Sequence, residues 1–392
     1  MAAARLRPLP VTGYTNLNAL GSTRAEILEA LAAGRSGLAP PSESFGFETM
    51  VGEVRGDLPS LTGALAPWST RIASMAGKLA ADLEEPLRLA RKRWRPERIG
   101  VFLGTSTGGA VSTERAYRHF VANGVLPADY DFQRQHTFSS LLHVVSELTG
   151  AKGPAWMIST ACTSSGKPLA TAQRLIAADM IDAAIVGGID TLCTLTVLGF
   201  ASLQALDSQA CRPFSKERSG ISLGEGGALA LVEREGEPRV LIEGVGETSD
   251  AYHISAPHPQ GRGALGAMHA AMAQAGCTAD DVDHINAHGT GTHLNDGAEA
   301  VAIATLFGDQ VPVVSTKGYT GHTLGAAAAI EFLFAAYVIE EGWIPPSLNS
   351  EPFDSDMGIQ LNTTLLKGDF KRVLSNSFAF GGNNVSVLLR AP

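Results

Sequence analysis

The chain has 392 residues, a formal charge of −9, 45% hydrophobic and 18% charged residues, so a large core is available and general disorder is excluded. Lys and Arg are dispersed along an acidic chain, which argues against a nucleic-acid partner. The four cysteines, Cys162, Cys193, Cys211 and Cys277, form neither a CxxC pair nor a metal-ligand spacing, so no metal is expected.

In chain order, MAAARLRPLP shows no apolar signal segment and reads as a short tail entering a strand. Ala19 to Gly34 reads as a loop and a helix, with Ser22 or Thr23 as N-cap. Residues 37–66, rich in Pro, Gly and Ser, are expected to be irregular, and Ile72 to Arg95 gives one or two amphipathic helices. Ile99 to Gly104 is a buried strand, followed by the small-residue turn GTSTGG at 104–109. Trp156–Ser159 (strand), Thr160–Ser165 (turn), Lys167–Met180 (helix) and Asp182–Ile189 (strand) make a β-turn-α-β unit, which points to parallel pairing and an α/β class. A similar alternation follows: strands at Val240–Val245, Val282–Ala287 and Val311–Ser315, helices at Arg262–Ala275, Asp296–Phe307 and Gly325–Glu340. Two last strands lie at Arg372–Ser377 and Ser386–Arg390. The order of elements predicts two related halves, residues 1–240 and 241–392. The longest apolar stretch, Leu324 to Ile339, is interrupted by Glu331 and reads as a buried helix, not a membrane span. The expected setting is cytoplasmic, with reduced thiols.

Four segments carry chemistry. In STACTSSG (159–166), Cys162 stands at a strand-to-helix turn, where free N–H groups and the helix dipole are expected to lower a thiol pKa and favour a nucleophile. Cys193, Cys211 and Cys277 read as structural. In NAHGTGTHLNDGAEA (286–300), His288 ends a strand beside a glycine turn, and Thr290 and Thr292 offer hydroxyls to an amide-bearing substrate arm; Glu299 lies on the next helix. His284 and His293 read as ordinary turn or core residues. In STKGYTGHTLGAAAA (315–329), Lys317 and His322 are candidates, although a surface role would equally suit a lone lysine. In SNSFAFGGNN (375–384), Phe380 precedes a Gly-Gly turn that can present an N–H to an oxyanion and swing a phenyl ring, or can be a plain tight turn.

Together, in this order, these segments make the chain resemble the β-ketoacyl-acyl-carrier-protein synthases, in the elongating branch with a Cys-His-His triad. The resemblance spans nearly the whole chain. It implies a thiolase fold, two related halves in a five-layer α-β-α-β-α arrangement, normally dimeric. It implies Cys162 as the acylated nucleophile and His288 and His322 as the catalytic histidines. It further implies Lys317 as a catalytic-site lysine with Glu299 as its acidic partner, Thr290 and Thr292 as holders of the phosphopantetheine arm, and Phe380 as the gate. Asn384 and Asp250 would face each other across that gating loop. The implied reaction is decarboxylative condensation of a malonyl thioester with the acyl group on Cys162. The phosphopantetheine belongs to an acyl carrier protein, so the protein itself is expected to need no cofactor.

Three features depart from the common pattern. Thr107 stands where an aliphatic residue or glycine often lines the acyl pocket, FAFGGNN puts Ala379 in place of Gly, and HGTGTHLND lacks the usual proline. With RQHTF (134–138) they resemble the synthases of aryl polyene clusters, some of which pair with a chain-length-factor-like subunit lacking the cysteine. A homodimer and such a heterodimer both stay open. For an acidic carrier, Arg71, Lys78 and the run Arg88, Arg91, Lys92, Arg93, Arg95 offer local positive charge, or simply a solvated helix face. A degradative thiolase would need a second cysteine after Cys277; an initiating synthase would carry Asn in place of His322. A non-elongating acyltransferase or a cysteine hydrolase is the alternative reading.

Overall fold

The computed structural model describes residues 6–392; residues 1–5 of the expected tail lie outside the described residues. Ten strands form the body of one sheet: β1 (Leu9–Leu17), β2 (Ile99–Gly104), β3 (Ala155–Ile158), β4 (Ala183–Asp190), β5 (Gly226–Glu233), β6 (Val240–Ser249), β7 (His284–Asn286), β8 (Pro312–Val314), β9 (Arg372–Phe378) and β10 (Asn383–Arg390). Their order across the sheet is β8-β7-β9-β10-β6-β1-β5-β4-β2-β3, with the short strand Gln360–Leu361 outside β8.

That order contains a repeat. The first five strands run 3-2-4-5-1 from the edge inward, and the last five run 8-7-9-10-6, each number raised by five. The directions repeat as well. β2 is parallel to β3 and β4, and β5 is antiparallel to β4 and β1. β7 is parallel to β8 and β9, and β10 is antiparallel to β9 and β6. An antiparallel contact between β1 and β6, with Leu9 opposite Ile242, joins the two sets.

The α-helices longer than four residues are α1 (Arg24–Ala32), α2 (Arg71–Asp82), α3 (Glu84–Arg93), α4 (Ala110–Asn123), α5 (Phe138–Thr149), α6 (Lys167–Ala177), α7 (Thr194–Ser202), α8 (Arg262–Ala275), α9 (His293–Phe307) and α10 (Ala327–Glu341). Three apolar clusters place them in layers. Helices α2, α3 and α5 pack on the outer face of the first five strands. Helices α8 and α9 pack on the outer face of the last five. Between the two faces lie α6 and α10. The result is α-β-α-β-α. The composition of α10 follows from this position: a helix clad on all sides is apolar on all sides, and Ala327 to Val338 are all buried. Strand β4, AAIVGGID, is buried throughout for the same reason and shows no alternation.

Most sequence expectations hold within a few residues. Thr23, not Ser22, caps α1, in a capping box with Glu26. Helix α9 starts at His293, three residues before the expected Asp296. Strand β5 was not anticipated. Its GGALALVE is covered on both faces, so neither a period of 2 nor of 3.6 is legible in it. Among the described residues, no helix is long and apolar enough to cross a membrane.

Candidate active site

The strand ends of both halves converge on Cys162. The residue sits in the turn after β3, and Ala161 before it adopts φ +53°, a left-handed conformation a non-glycine residue holds only under constraint. The space for this turn comes from Gly104 at the end of β2: a Cβ there would lie 2.3 Å from the Ser164 carbonyl carbon. Ser377 Oγ donates to the Cys162 carbonyl, tying the turn to β9.

Helix α6 begins only at Lys167, five residues past Cys162. The expectation that the helix end lowers the thiol pKa is therefore corrected. Burial dominates and pushes the thiol up to about 12. Lys317 and the backbone N–H groups of Cys162 and Phe380 act in the opposite direction without offsetting it. Those two N–H groups, from the two chain segments expected to supply them, converge on the sulfur.

His322 Nε2 lies 2.9 Å from Cys162 Sγ. The ring is held from its other side, where the Leu324 N–H donates to Nδ1 at 3.2 Å. Leu324 itself has φ +53°. His288 stands edge-on to His322, with ring centroids 5.2 Å apart and planes at 85°. Lys317 Nζ donates to its Nδ1 at 3.2 Å and to its carbonyl oxygen. Both imidazoles thus accept at Nδ1, so in the neutral ring the proton sits on Nε2. Burial first, and the Lys317 charge second, hold both pKa values well below the usual 6.5. The outcome is two neutral rings, each with its proton on Nε2, and the Nε2–H of His322 lies against the thiol. Sγ and the nearest ring nitrogens lie within 4.8 Å of one another, a spacing that could suit a metal ion. The hydrogen bonding opposes one: a metal needs the Nε2 lone pairs, and the donors at both Nδ1 atoms keep protons on Nε2.

The expected partner of Lys317 was Glu299; this is corrected. Lys317 pairs with Glu331 of α10, and both side chains are buried. Glu299 instead accepts the backbone N–H groups of His288 and Gly289, each at 2.8 Å, and fixes the loop that carries His288. Glu331 was visible in the sequence only as the charge interrupting an apolar run. A charge inside a helix that must be buried was the available signal.

A cavity of about 420 Å³ opens onto the thiol. Of the expected residues, Cys162, His288, His322, Thr290, Thr292, Asp250, Asn384 and Phe380 line it. Lys317 and Glu299 lie behind it, so neither is placed to touch substrate. Thr107, expected at the acyl pocket, does not line this cavity; its hydroxyl donates to buried Asp190 at 2.7 Å. Ser106, one residue earlier, faces the cavity. His293, read as an ordinary turn residue, also lines it.

Two buried aspartates organise the loops and were missed. Asp190, at the end of β4, accepts from Thr105, Ser106, Thr107 and Gly325, which fastens GTSTGG to the loop of His322. Asp296 accepts the N–H groups of Phe214, Thr290 and Gly291. Thr290 and Thr292 hydroxyls are 2.9 Å apart at the cavity wall.

The Phe380 ring is 41% exposed and lies 5.8 Å from the Phe200 ring. Gly381 and Gly382 follow at φ +83° and +77°. This turn is laced to the loop opposite: Gly381 N–H donates to the Ile254 carbonyl, Asp250 N–H to the Gly382 carbonyl, and Asn384 Nδ2 to Asp250 Oδ1 at 3.1 Å. Cys193 and Cys211 are buried away from the cavity, and the His284 ring is occupied by the Pro312 carbonyl.

Residues 73–237 match the N-terminal domain of beta-ketoacyl synthase and residues 240–351 its C-terminal domain. The chain is 32% identical over 394 residues to Nodulation protein E of Rhizobium meliloti (strain 1021), covering 96% of this chain and 98% of that protein. It is 33% identical over 408 residues to 3-oxoacyl-[acyl-carrier-protein] synthase 2 of Coxiella burnetii, covering 98% of each. The solved structure of the ketosynthase ApeO, in complex with its chain length factor ApeC, from Xenorhabdus doucetiae superposes with a TM-score of 0.93 over the full length of both chains, at 34% identity. With its thiolase fold and this agreement along its length, the chain belongs to the β-ketoacyl synthase family.

Proposed function

We propose that the protein is an elongating ketosynthase that joins an acyl group on Cys162 to a malonyl thioester. The observation that carries this reading is the hydrogen bonding of the two histidines, which leaves an Nε2–H on each of two rings grouped with one thiol, while two backbone N–H groups act on the same thiol.

In the first half-reaction the Cys162 sulfur attacks the carrier-borne thioester. The Cys162–acyl bond forms, the carrier thiolate leaves, and the thiol proton ends on it. The tetrahedral oxyanion sits between the N–H groups of Cys162 and Phe380. In the second, the malonyl thioester oxygen accepts from the Nε2–H groups of His288 and His322. Carbon dioxide departs, and these two donors hold the enolate left behind. Its carbon attacks the acyl carbonyl, the carbon–carbon bond forms, and Cys162 leaves as thiolate and takes a proton. No strong base is required, so neutral imidazoles suffice. A cysteine hydrolase would further need a base that activates water against the acyl-enzyme, and here both Nε2 atoms already carry a proton.

The substrates are carried on the phosphopantetheine arm of an acyl carrier protein, with Thr290 and Thr292 offering hydroxyls to its amides. The working unit is a dimer, either of two copies or with a chain-length-factor-like subunit; the ApeO complex supports the second arrangement. Four free thiols fit a reducing, cytoplasmic setting. The resemblance in RQHTF and HGTGTHLND supports a role in aryl polyene-type elongation. Offering saturated and polyunsaturated acyl carriers in competition, with malonyl carrier, and weighing the ketoacyl products by mass tests this. Preference for the unsaturated chain supports the pathway; preference for the saturated one overturns it.

A further inference from the structure

We propose that the acyl carrier seats on an apolar collar around the cavity mouth and not on a basic patch; this rests on the ketosynthase reading above. Cys162 is only 8% exposed. A carrier-borne thioester must reach it through the cavity, so the body of the carrier must sit on the rim. That rim is apolar. Leu203 and Leu294 line the cavity and are 61% and 65% exposed, and Ile254, next in the chain to the lining Ser255, is 81% exposed. Apolar side chains grouped around an opening in this way mark a contact surface.

The charge distribution points the same way. Among the described residues no Lys or Arg lines the cavity, whereas Asp250 does. Of the seven cations expected to meet an acidic carrier, five are held in ion pairs, Lys92 and Arg95 being the exceptions among the described residues. Arg71 pairs with Glu225, Lys78 with Asp82, Arg88 with Glu85, Arg91 with Glu84 and Arg93 with Glu233. Nearer the mouth, Arg212 pairs with Glu217 and Arg218 with Asp354. With a net charge of −9, the chain gives an acidic carrier no long-range attraction. The partner that fits is a carrier presenting apolar side chains around the serine that bears its arm. Because the Ile254 carbonyl accepts the Gly381 N–H, a carrier pressed on Ile254 bears directly on the turn of Phe380.

The test compares one acyl group on its carrier and on N-acetylcysteamine, for wild type, Ile254→Asp, Ile254→Leu and Arg262→Ala, a cation at the start of α8 that forms no ion pair among the described residues. Ile254→Asp should lower kcat/KM for the carrier-borne substrate by about tenfold relative to the small thioester, and Ile254→Leu should restore it. Raising ionic strength from about 50 to about 500 mM should change the carrier KM by less than about twofold. The collar is overturned if Ile254→Asp affects both substrates equally, or if it is silent while salt or Arg262→Ala weakens the carrier KM severalfold. A wild type inactive on both substrates would sink the ketosynthase reading, and the collar with it.

Discussion

Lys317 and Glu331 form an ion pair in the protein interior, with side chains 0% and 3% exposed, and the same Lys317 Nζ holds the ring of His288. Removing one partner strands a buried charge. Lys317→Met should therefore cost on the order of 3–5 kcal/mol of stability, and Lys317→Met with Glu331→Leu should recover much of it. Condensation should stay impaired in the double variant, because His288 Nδ1 loses its donor in both. Thermal melts and single-turnover condensation read the two effects separately.

The two histidines act on the enolate more than on the acylation oxyanion. His322→Ala should slow condensation by roughly 10²- to 10³-fold and Cys162 acylation by less than about tenfold. The pH profile of wild-type condensation gives a second readout. Both rings have pKa values well below 6.5, so the acid limb of the profile should lie below that value. Equal loss of both half-reactions in His322→Ala would remove the assignment.

Burial raises Glu299 from 4.5 to about 7. A carboxyl whose folded pKa is raised favours folding in its protonated form. Its contribution is complete below about pH 4.5 and is lost as pH climbs through about 7. Wild-type Tm should fall between about pH 5 and pH 8 more steeply than that of Glu299→Gln, a difference worth on the order of 3 kcal/mol at most. Melts of both proteins across this range check the sign; parallel slopes would contradict it.

Much of the site was legible in the sequence because its residues stand beside glycines at strand ends. His288, His322 and the Phe380 turn are in that class, and Cys162 stands in a turn of small residues after a strand. What escaped was set by partners far along the chain. Asp190 and Asp296 hold loops together by accepting backbone N–H groups, and a sequence does not show which loops meet. The family resemblance puts Thr107 at the acyl pocket; in the structure its hydroxyl turns inward to Asp190, and Ser106 takes the cavity wall. The Cys162 thiol was expected to titrate low from its distance to a helix along the chain. Burial, which depends on every layer of the fold, reversed the direction. Strand β5 was lost for a related reason, since a strand covered on both faces has no periodicity to read.

The most direct test of the central claim is intact-protein and peptide mass spectrometry of wild type and Cys162→Ala, given acyl carrier and then malonyl carrier. Wild type should gain one acyl group on the peptide containing Cys162, then lose it as ketoacyl carrier and carbon dioxide appear in equal amounts, while Cys162→Ala gains none. Acylation of Cys162→Ala, or an acyl-Cys162 that releases free acid in place of a ketoacyl product, would contradict the account.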